Sequence, residues 1–429
     1  MKSPLSAEID PWRLPTGALR TLQLDRLNAL LTASRTHPFY RDRLASLKLP
    51  LNDLSELCQL PLLRKSEMVA EAPGAPARLF AEKRSSYRYF HQTSGTSGRP
   101  MPVLDTDADW EWWMRCWGHV LRAAHVRQDD VAMMAFSFGP FIGFWTACDA
   151  LRREGALVIP GGGLSSEARV QMIVEQQCSI VCCTPTYALH LLDVASKMGV
   201  DLAESNVARL IVAGEPGGSL PSVRKRIESG YDATVVDHSG GSEIGAWGFG
   251  SRDGTALHVI ESEFVAECLV FDNQTPDGRA AEPDEPSELI LTGLGRFGGP
   301  AIRYRTGDIV KPSYEHADPD CGFLRLEGGV VGRMDDMVVI RGVNIFPSSI
   351  EAIVREIDPH AEFQMIVHRL GEMDSMRVAI ELPSDTCERL ASLLQSRLAL
   401  RIPVDDVPPG SLPRFSAKSR RLVRQDQPE

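Results

Sequence analysis

The sequence has no apolar run long enough to span a membrane and no stripe of basic residues. Its 429 residues carry a formal net charge of −11, which argues against a nucleic-acid partner because such proteins present a basic surface to phosphates. Residues Met1 to Pro15 do not pair a basic segment with an apolar one, so we expect no signal peptide. A cytoplasmic protein without a membrane or nucleic-acid partner is therefore the expectation.

The nine cysteines are odd in number and scattered along the chain, which argues against a disulfide framework. Reduced thiols of a cytoplasmic enzyme are the better interpretation. Cys182 and Cys183 are adjacent within an apolar run, so we expect both to be small core residues.

A Walker phosphate loop is also missing, but the segment Thr93–Pro100 is rich in hydroxyl groups and glycine. Glycine lets backbone N–H groups turn toward an anion, and short hydroxyls add donors without bulk. A bound phosphate is one interpretation, and a Ser/Thr/Gly-rich surface turn is the alternative. Pro102–Asp105 follows as a return strand, which predicts a β-hairpin around the segment. The candidate phosphate-binding residues are Thr93, Ser94, Gly95, Thr96, Ser97, Gly98 and Arg99.

Apolar strand-like runs alternate with helical patterns beyond residue 130, which predicts a mostly parallel sheet covered on both faces. The predicted strands are 131–136, 156–159, 179–183, 210–213 and 233–236. Ligands of such sheets bind beyond the carboxyl ends of the strands, where 214–216 and 237–243 are expected to fall. Short strands and turns over 261–333 indicate a β-rich subdomain, and residues after 335 indicate a smaller α/β unit.

A helix is predicted to begin near Asp107, with Asp107 as its N-cap. Trp110, Trp113 and Trp117 fall on one face of this helix. We interpret that stripe as core packing, since tryptophans at helical spacing serve packing more often than a ligand cage.

Several motifs, taken together and in order, decide whether Thr93–Pro100 binds phosphate or is only a surface turn. They are Ser239–Glu243 (SGGSE), Arg303–Asp308 (RYRTGD), Gly332–Asp336 (GRMDD), Arg341–Pro347 (RGVNIFP) and a C-terminal Lys418. The chain thereby resembles the adenylate-forming superfamily, and most of all its phenylacetate–CoA ligase branch, over about residues 22 to 423. The resemblance implies an α/β fold with a large N-terminal adenylate-forming lobe (1–334), made of doubly wound sheets and a β-rich subdomain. A small, mobile α/β C-terminal lobe (335–429) is expected to follow.

The resemblance also implies roles for residues along the nucleotide. Thr93 to Arg99 would hold the β- and γ-phosphates of ATP, with Arg99 where many relatives have lysine, which keeps the charge but changes the hydrogen-bond geometry. His91, just before this loop, also matches the branch. Ser239 stands where the common pattern has an aromatic ring that stacks on adenine, so the hold on adenine is expected to differ. Further residues implied at the nucleotide are Gly214, Glu215, Pro216, Asp237, His238 and Ser242.

Two carboxylates are implied to bind ligands. The glutamate that matches Glu243 contacts Mg²⁺ in the family, and one carboxylate plus substrate phosphates suffices for that metal. Asp308 would accept hydrogen bonds from the ribose hydroxyls, with Arg333 nearby. Without the motifs, Glu243 would be interpreted as a surface glutamate and Asp308 as a turn aspartate.

The expected catalytic cation is Lys418, which matches the C-terminal lysine that bridges the incoming carboxylate and the α-phosphate. Composition alone would favour a solvated basic tail. Asp335 matches the hinge about which the small lobe rotates between an adenylating and a thioester-forming pose. Asn344 lies in the turn that would line the channel for the second nucleophile.

The acid-binding pocket is expected to have aromatic walls, which favour a flat, apolar acid. Its candidate residues are Phe136, Phe138, Phe141, Gly162, Tyr187 and Gly240. Some relatives carry a zinc site between β-rich strands. Here His258 and Cys321 match it, but the closely spaced cysteine pairs do not, so we expect no zinc.

These residues predict an enzyme that uses ATP and Mg²⁺ to convert an aromatic acid to an acyl adenylate, with coenzyme A as the expected acceptor. One alternative passes the adenylate to a carrier protein or an amine. Another is a nucleotide-binding regulatory protein without turnover, which the retention of Glu243, Asp308 and Lys418 opposes. A homodimer is expected because relatives often form one.

Overall fold

The structure is a computed structural model that describes residues 10–425 with several gaps. The residues outside the description are 71, 73, 94–99, 137–138, 141, 216, 273–274, 315–319, 335–337, 341–342, 359, 371–372, 399 and 414–420. The side chains of residues 144, 339, 343–344, 369–370 and 373–374 are likewise not described. The fold is mixed α/β with several sheets, which confirms the predicted class.

Nine α-helices and four short 3₁₀ turns lie within the described residues. The helices are α1 (Thr16–Ser34), α2 (Lys65–Met68), α3 (Asp107–Ala123), α4 (Ile142–Glu154), α5 (Ser166–Glu175), α6 (Pro185–Lys197), α7 (Pro221–Tyr231), α8 (Pro347–Ile357) and α9 (Ser384–Leu398). No described helix has the length and apolar content needed to cross a bilayer. A two-stranded antiparallel hairpin, β1 (Tyr89–Gln92) and β2 (Pro102–Asp105), precedes α3 as predicted.

The largest sheet has nine strands and forms the centre of the N-terminal part. Its strands are β3 (Val131–Met134), β4 (Leu157–Pro160), β5 (Ile180–Cys183), β6 (Arg209–Ala213), β7 (Thr234–Gly241), β8 (Gly245–Gly250), β9 (Ala256–Val259), β14 (Pro312–Ser313) and β15 (Arg325–Glu327). Their order is β14-β15-β9-β8-β7-β6-β5-β3-β4. The run from β4 to β7 is parallel, as predicted, whereas β8, β9, β15 and β14 extend the sheet antiparallel.

Strand β7 is longer than its apolar run predicted. The prediction ended it at Val236, but the strand continues to Gly241 because β8 pairs with it antiparallel, from His238 opposite Phe249 to Gly241 opposite Gly245. Asp237 to Gly241 are therefore part of the strand instead of following it. Glycine has a low strand propensity, so the sequence could not predict a strand here. Pairing with β8 is what stabilises this part of β7.

The helices of the parallel half lie on opposite faces of the sheet. Residues Ile142 and Leu151 of α4 belong to a core shared with α3, whereas α5, α6 and α7 contribute Val170, Leu191 and Ile227 to a second core. The connections that follow β3 and β5 therefore leave on opposite faces. Such a reversal opens a crevice at the carboxyl ends of the two strands, which is where ligands of these sheets bind.

Helix α3 is capped one residue earlier than predicted. The cap is Thr106 and not Asp107: the Asp109 N–H donates to Thr106 Oγ1 at 3.2 Å, and the Thr106 N–H donates to the Asp109 carboxylate at 3.0 Å. This reciprocal pair satisfies two backbone donors and outcompetes Asp107. The tryptophan stripe is buried in the core, as predicted, and Trp112 is buried with it.

A five-stranded antiparallel sheet confirms the β-rich region. It contains β10 (Phe264–Val270), β11 (Arg279–Ala280), β12 (Ser287–Gly293), β13 (Tyr304–Val310) and β16 (Gly332–Arg333), in the order β11-β10-β12-β13-β16. The C-terminal part has its own core and two sheets: a hairpin of β17 (Val338–Ile340) with β18 (Val343–Ile345), and the order β21-β20-β19-β22. The latter strands are β19 (Phe363–Leu370), β20 (Met373–Ile380), β21 (Val404–Asp406) and β22 (Leu422–Gln425). The predicted boundary at residues 334 and 335 abuts a gap in the description and stays a prediction.

Candidate active site

The phosphate-loop candidate is held closed at its base. The Thr93 N–H donates to the Met101 carbonyl at 3.0 Å, and the Met101 N–H donates to Thr93 Oγ1 at 3.1 Å. The Gln92 N–H donates to the carbonyl of Pro140 at 2.7 Å, which ties the hairpin to the loop after β3. Ser94 to Arg99 lie outside the described residues, so the predicted phosphate cradle itself stays a prediction.

The turn at Gly214 brings a carboxylate to the start of a helix. Gly214 has a φ of 92°, a left-handed conformation that glycine adopts without strain. Glu215 Oε1 accepts a hydrogen bond from the Thr186 N–H at 2.8 Å, in the first turn of α6, where a negative charge is favoured by the helix dipole. Pro216 lies outside the described residues.

Asp237 is engaged by protein groups. It is buried, its Oδ2 accepts from Ser219 Oγ at 2.6 Å, and its Oδ1 accepts from the His238 N–H at 3.0 Å. Burial raises the pKa of Asp237 to about 6. Asp237 thus fixes the segment before α7 against β7, whatever it contributes to a nucleotide.

A bulge interrupts the ladder between β7 and β8 at Ser239 and Gly240. A Cβ on Gly240 would come 2.9 Å from the carbonyl oxygen of Gly245, so only glycine fits this approach of the two strands. The bulge bends the strand directly before Ser242 and Glu243, and bulges commonly redirect side chains next to active sites.

Glu243 is the buried carboxylate of this region, with 8% of the residue exposed. The ammonium of Lys65 lies 2.5 Å from Glu243 Oε1. Carboxylate oxygens are the ligands that Mg²⁺ prefers, so Glu243 fits the metal role that its motif implies. Lys65 was not among the predicted site residues.

Lys65 is positioned by a segment that docks as an extra short strand. The Leu63 N–H donates to the Arg303 carbonyl at 2.8 Å, and the Arg305 N–H donates to the Leu63 carbonyl at 2.9 Å. Helix α2 begins two residues later with Lys65 in its first position. The N-terminal segment is thus fixed to β13, the strand that also carries Asp308.

A buried ion pair connects the β1–β2 hairpin, which flanks the candidate phosphate loop, to the turn that carries Glu243. This hairpin is called the phosphate hairpin below. Arg296 Nη2 lies 2.8 Å from Asp105 Oδ1 at the end of β2, and both side chains are at most 1% exposed. Arg296 Nη1 also donates to the carbonyls of Ser242 at 2.8 Å and Glu243 at 3.2 Å. Burial raises the pKa of Asp105, and the positive charge of Arg296 opposes that shift.

The surroundings of this pair are aromatic. Trp113 Nε1 donates to Asp105 Oδ1 at 3.2 Å, and the Arg296 guanidinium lies over the rings of Phe80 and Trp113. Burial, helped by the charge of Arg296, lowers the pKa of His91 to about 4, so this histidine at the mouth of the phosphate loop is neutral at pH 7. The pair therefore sets the charge around the hairpin as well as its position.

Asp308 and Arg333, both predicted near the ribose, come together. They are opposite each other in the pairing of β13 with β16, and Arg333 Nη1 donates to Asp308 Oδ1 at 2.6 Å. Arg333 Nη2 donates to the Thr306 carbonyl at 3.1 Å. The ion pair orients the carboxylate to which the hydroxyls of a ribose would donate hydrogen bonds.

The acid-pocket candidates are only partly brought together. Phe136 follows β3 in the core shared by α3 and α4, whereas Tyr187 is buried in the second core, where Arg169 Nη1 donates to its hydroxyl at 2.6 Å. The sheet separates these two residues. Gly162 is exposed in the turn after β4, and Phe138 and Phe141 lie outside the described residues.

Lys418 and Asp335 also lie outside the described residues, and Asn344 is described only as part of β18. The chain on both sides of residues 414–420 is anchored in the C-terminal part. The Leu412 N–H donates to Glu381 Oε1 at 2.9 Å, the Met365 N–H donates to the Arg421 carbonyl at 2.7 Å, and β22 then pairs parallel with β19.

Among the described residues, the C-terminal part contacts the N-terminal part near β16 and at α7. Ser348 Oγ donates to the Val331 carbonyl at 2.5 Å, and Phe346 packs so closely on Gly332 that a Cβ there would lie 2.7 Å from its ring. Arg226 of α7 contacts both Asp193 and His360. These contacts hold one relative placement of the two parts.

His258 and Cys321 match the zinc site of some relatives, and both are buried. His258 Nδ1 is 3.2 Å from the Phe323 carbonyl. Within the described part of the chain, no group of three or more His, Cys, Asp or Glu side chains could hold a metal. None of the nine cysteines is in a disulfide, and all but Cys58 are buried, including Cys182 and Cys183 as predicted.

The chain is similar to known proteins over nearly its whole length. Residues 342–425 match the family model described as the AMP-binding enzyme C-terminal domain. Phenylacetate-coenzyme A ligase of Pseudomonas putida is 32% identical over 397 residues, which cover 90% of this chain and 86% of that protein. The enzyme of the same name from Thermus thermophilus is 28% identical, covering 96% of this chain and 97% of that protein.

Solved structures show the same fold. A 2-hydroxyisobutyryl-CoA ligase in its postadenylation state, in complex with an acyl adenylate, superposes with a TM-score of 0.87 at 24% identity and covers 98% of this chain and 94% of that one. The same ligase in its thioesterification state gives a TM-score of 0.70 at 25% identity, covering 97% and 92% of the two chains.

Replacing Arg296 by methionine should strongly destabilise the protein. Asp105 would stay buried without its counter-charge, and breaking a buried ion pair in this way costs about 3–5 kcal/mol. Urea unfolding followed by tryptophan fluorescence measures the loss. Arg279→Met is the matched control, since its pair with Glu285 is exposed and should contribute little. Equal unfolding midpoints for the two variants would contradict the role of Arg296.

Proposed function

Because the chain belongs to the phenylacetate–coenzyme A ligase family of AMP-forming acid–coenzyme A ligases, we propose that it activates an aromatic carboxylic acid. The acid reacts with ATP to give an acyl adenylate and pyrophosphate, and the acyl group then passes to coenzyme A with release of AMP. A phenylacetate or a substituted benzoate is the expected acid, since Phe136 and the aromatic residues predicted after it would give the pocket a flat, apolar wall.

One observation carries this proposal within the site. The buried carboxylate of Glu243 has an ammonium 2.5 Å away, and its backbone is braced by Arg296 to the hairpin that flanks the phosphate loop. Bringing a carboxylate to a polyphosphate brings anions together, so cations and N–H donors must be fixed where charge builds. Lys65 supplies such a cation beside the carboxylate that fits Mg²⁺.

The individual roles follow from this arrangement. Glu243 would hold Mg²⁺, which would supply positive charge to the phosphates. The loop Thr93 to Arg99 would hold the terminal phosphates, Asp308 with Arg333 the ribose, and Gly214–Pro216 the edge of the nucleotide. Lys65 would keep the negative charge of Glu243 compensated while the nucleotide enters and leaves.

The C-terminal part would act in both half-reactions. Lys418 would place its ammonium between the acid and the α-phosphate in the adenylating pose. Rotation about Asp335 would then present the turn with Asn344 to the incoming thiol. A carrier protein as the acceptor, a homodimer and a cytoplasmic location stay predictions, and size-exclusion chromatography with light scattering tests the dimer.

The two half-reactions can be tested separately with the purified chain. An aromatic acid should cause exchange of labelled pyrophosphate into ATP without coenzyme A, and release of AMP should then require free coenzyme A. The acids to compare are phenylacetates, aminobenzoates and hydroxybenzoates. Exchange without coenzyme A-dependent release of AMP would indicate a carrier-protein or amine acceptor. No exchange with any of these acids would refute the proposed activity.

Lys418→Ala should lower the rate of pyrophosphate exchange by at least about a hundredfold, because the charge that bridges acid and phosphate is removed. The unfolding midpoint should stay the same. Lys197→Ala, at the exposed end of α6, is the control and should keep the wild-type rate. Near-normal exchange in Lys418→Ala would show that another lysine performs this step.

Lys65→Met should raise the KM for MgATP by about tenfold, since a charge-assisted contact next to the phosphates contributes on the order of 1.5–3 kcal/mol. Lys65→Arg should keep part of the effect because it keeps the charge. Steady-state kinetics at saturating acid give the measurement, with the exposed Lys225→Met as control. A KM for MgATP unchanged in Lys65→Met would remove Lys65 from the nucleotide site.

A further inference from the structure

His238 is the last residue of β7 that pairs with the parallel strand β6, and it is more than nine-tenths buried, with 6% exposed. Its ring packs against that of Trp117, with centroids 4.5 Å apart. Side chains alternate along a strand, so His238 shares its face with Val236, on the side covered by α3 and α4, while Asp237 points to the other face. Phe136 belongs to the same core as Trp117 and Val236.

The protonation of this ring follows from its one hydrogen bond. His238 Nδ1 lies 2.8 Å from the carbonyl oxygen of Gly248. A carbonyl can only accept, so Nδ1 carries the hydrogen. Burial lowers the pKa of His238 to about 4, which keeps the ring neutral at pH 7. Nε2 consequently has a free lone pair and can only accept.

No group in the described part of the chain donates to Nε2 of His238. The nearby polar groups are already paired: Trp117 Nε1 donates to Thr146 Oγ1 at 2.7 Å, and Thr146 Oγ1 donates to the Gly143 carbonyl at 3.0 Å. The residue next to Nε2 is Gly240, where even a Cβ would lie 3.5 Å from that nitrogen. The accepting nitrogen of this largely buried residue therefore lies beside a glycine and has no donor among the described residues.

We propose that His238 is a specificity-determining residue that accepts a hydrogen bond from a hydroxyl or amino group on the ring of the acid. The assignment rests on the proposed function, since it presumes that an aromatic acid occupies the crevice beside β7. Phe136 and His238 would line one face of that crevice. An acid without a donor would leave Nε2 buried and unpaired, and sites built to hydrogen-bond a substrate group discriminate against analogues that lack it.

The test compares pairs of acids that differ only in one donor group. The ratio of kcat/KM for a hydroxy- or aminobenzoate to that for benzoate, and for hydroxyphenylacetate to phenylacetate, is measured by pyrophosphate exchange. For the best-placed isomer we expect a ratio of about ten to a hundred in the wild type. His238→Leu should bring the ratio close to one, whereas His238→Gln, with its amide oxygen, should retain part of it.

The matched control is His190→Leu on α6, which removes an imidazole on the other face of the sheet and should leave the ratio unchanged. If His238 instead contacts the nucleotide, His238→Leu will raise the KM for ATP equally with every acid and leave the ratio intact, which would overturn the proposal. A wild-type ratio near one for all isomers would overturn it as well.

A second readout separates this proposal from the proposed activity. Nitrogen-15 NMR of the histidine-labelled protein should show His238 Nε2 as the unprotonated nitrogen and should show its signal shifting when a donor-bearing acid is added without ATP. If no acid supports exchange but this shift occurs, the activity fails and the binding role stands. A protonated Nε2, or an Nε2 chemical shift that does not change with any of the acids, would overturn the binding role even in an active enzyme.

Discussion

The ion pair between Arg296 and Asp105 is the contact on which the geometry of the site depends. Its two charges are withdrawn from water, so each is tolerable only while the other stays in place. Because Arg296 also holds the carbonyls of Ser242 and Glu243, the phosphate hairpin, α3 and the turn before β8 form one unit. The proposed phosphate-binding and metal-binding residues would thereby be held in fixed relative positions before any ligand binds.

Much of the fold could be predicted from the sequence because its signals are local. The alternation of apolar strands and helices marked the parallel strands, and the tryptophan spacing marked the buried face of α3. The antiparallel extension of the sheet could not be predicted, since β7 continues through serine and glycine only because β8 lies beside it. The same applies to the cap of α3, which depends on a reciprocal bond between Thr106 and Asp109.

The motifs identified the candidate site residues, but they did not indicate what holds them. Lys65 reaches Glu243 across a long stretch of chain, and nothing in the run around Lys65 signals a binding role. The sequence around Arg296 predicts only a turn between two strands. Tyr187 was expected on the wall of the acid pocket opposite Phe136, and the structure places the two residues in the cores on opposite faces of the sheet, so their joint role in a pocket stays a prediction. Such partners become visible only once distant segments are brought together.

The anchoring of the chain around residues 414–420 restricts how Lys418 can act. Lys418 is three positions before Arg421, whose carbonyl accepts a hydrogen bond from β19, so its Cα can lie no farther than about 11 Å from that of Arg421. An ammonium on so short a tether cannot search for its target as a free tail would. If Lys418 is the catalytic cation, as proposed, it would move together with the C-terminal part, and the motion of that part would govern when the first chemical step occurs.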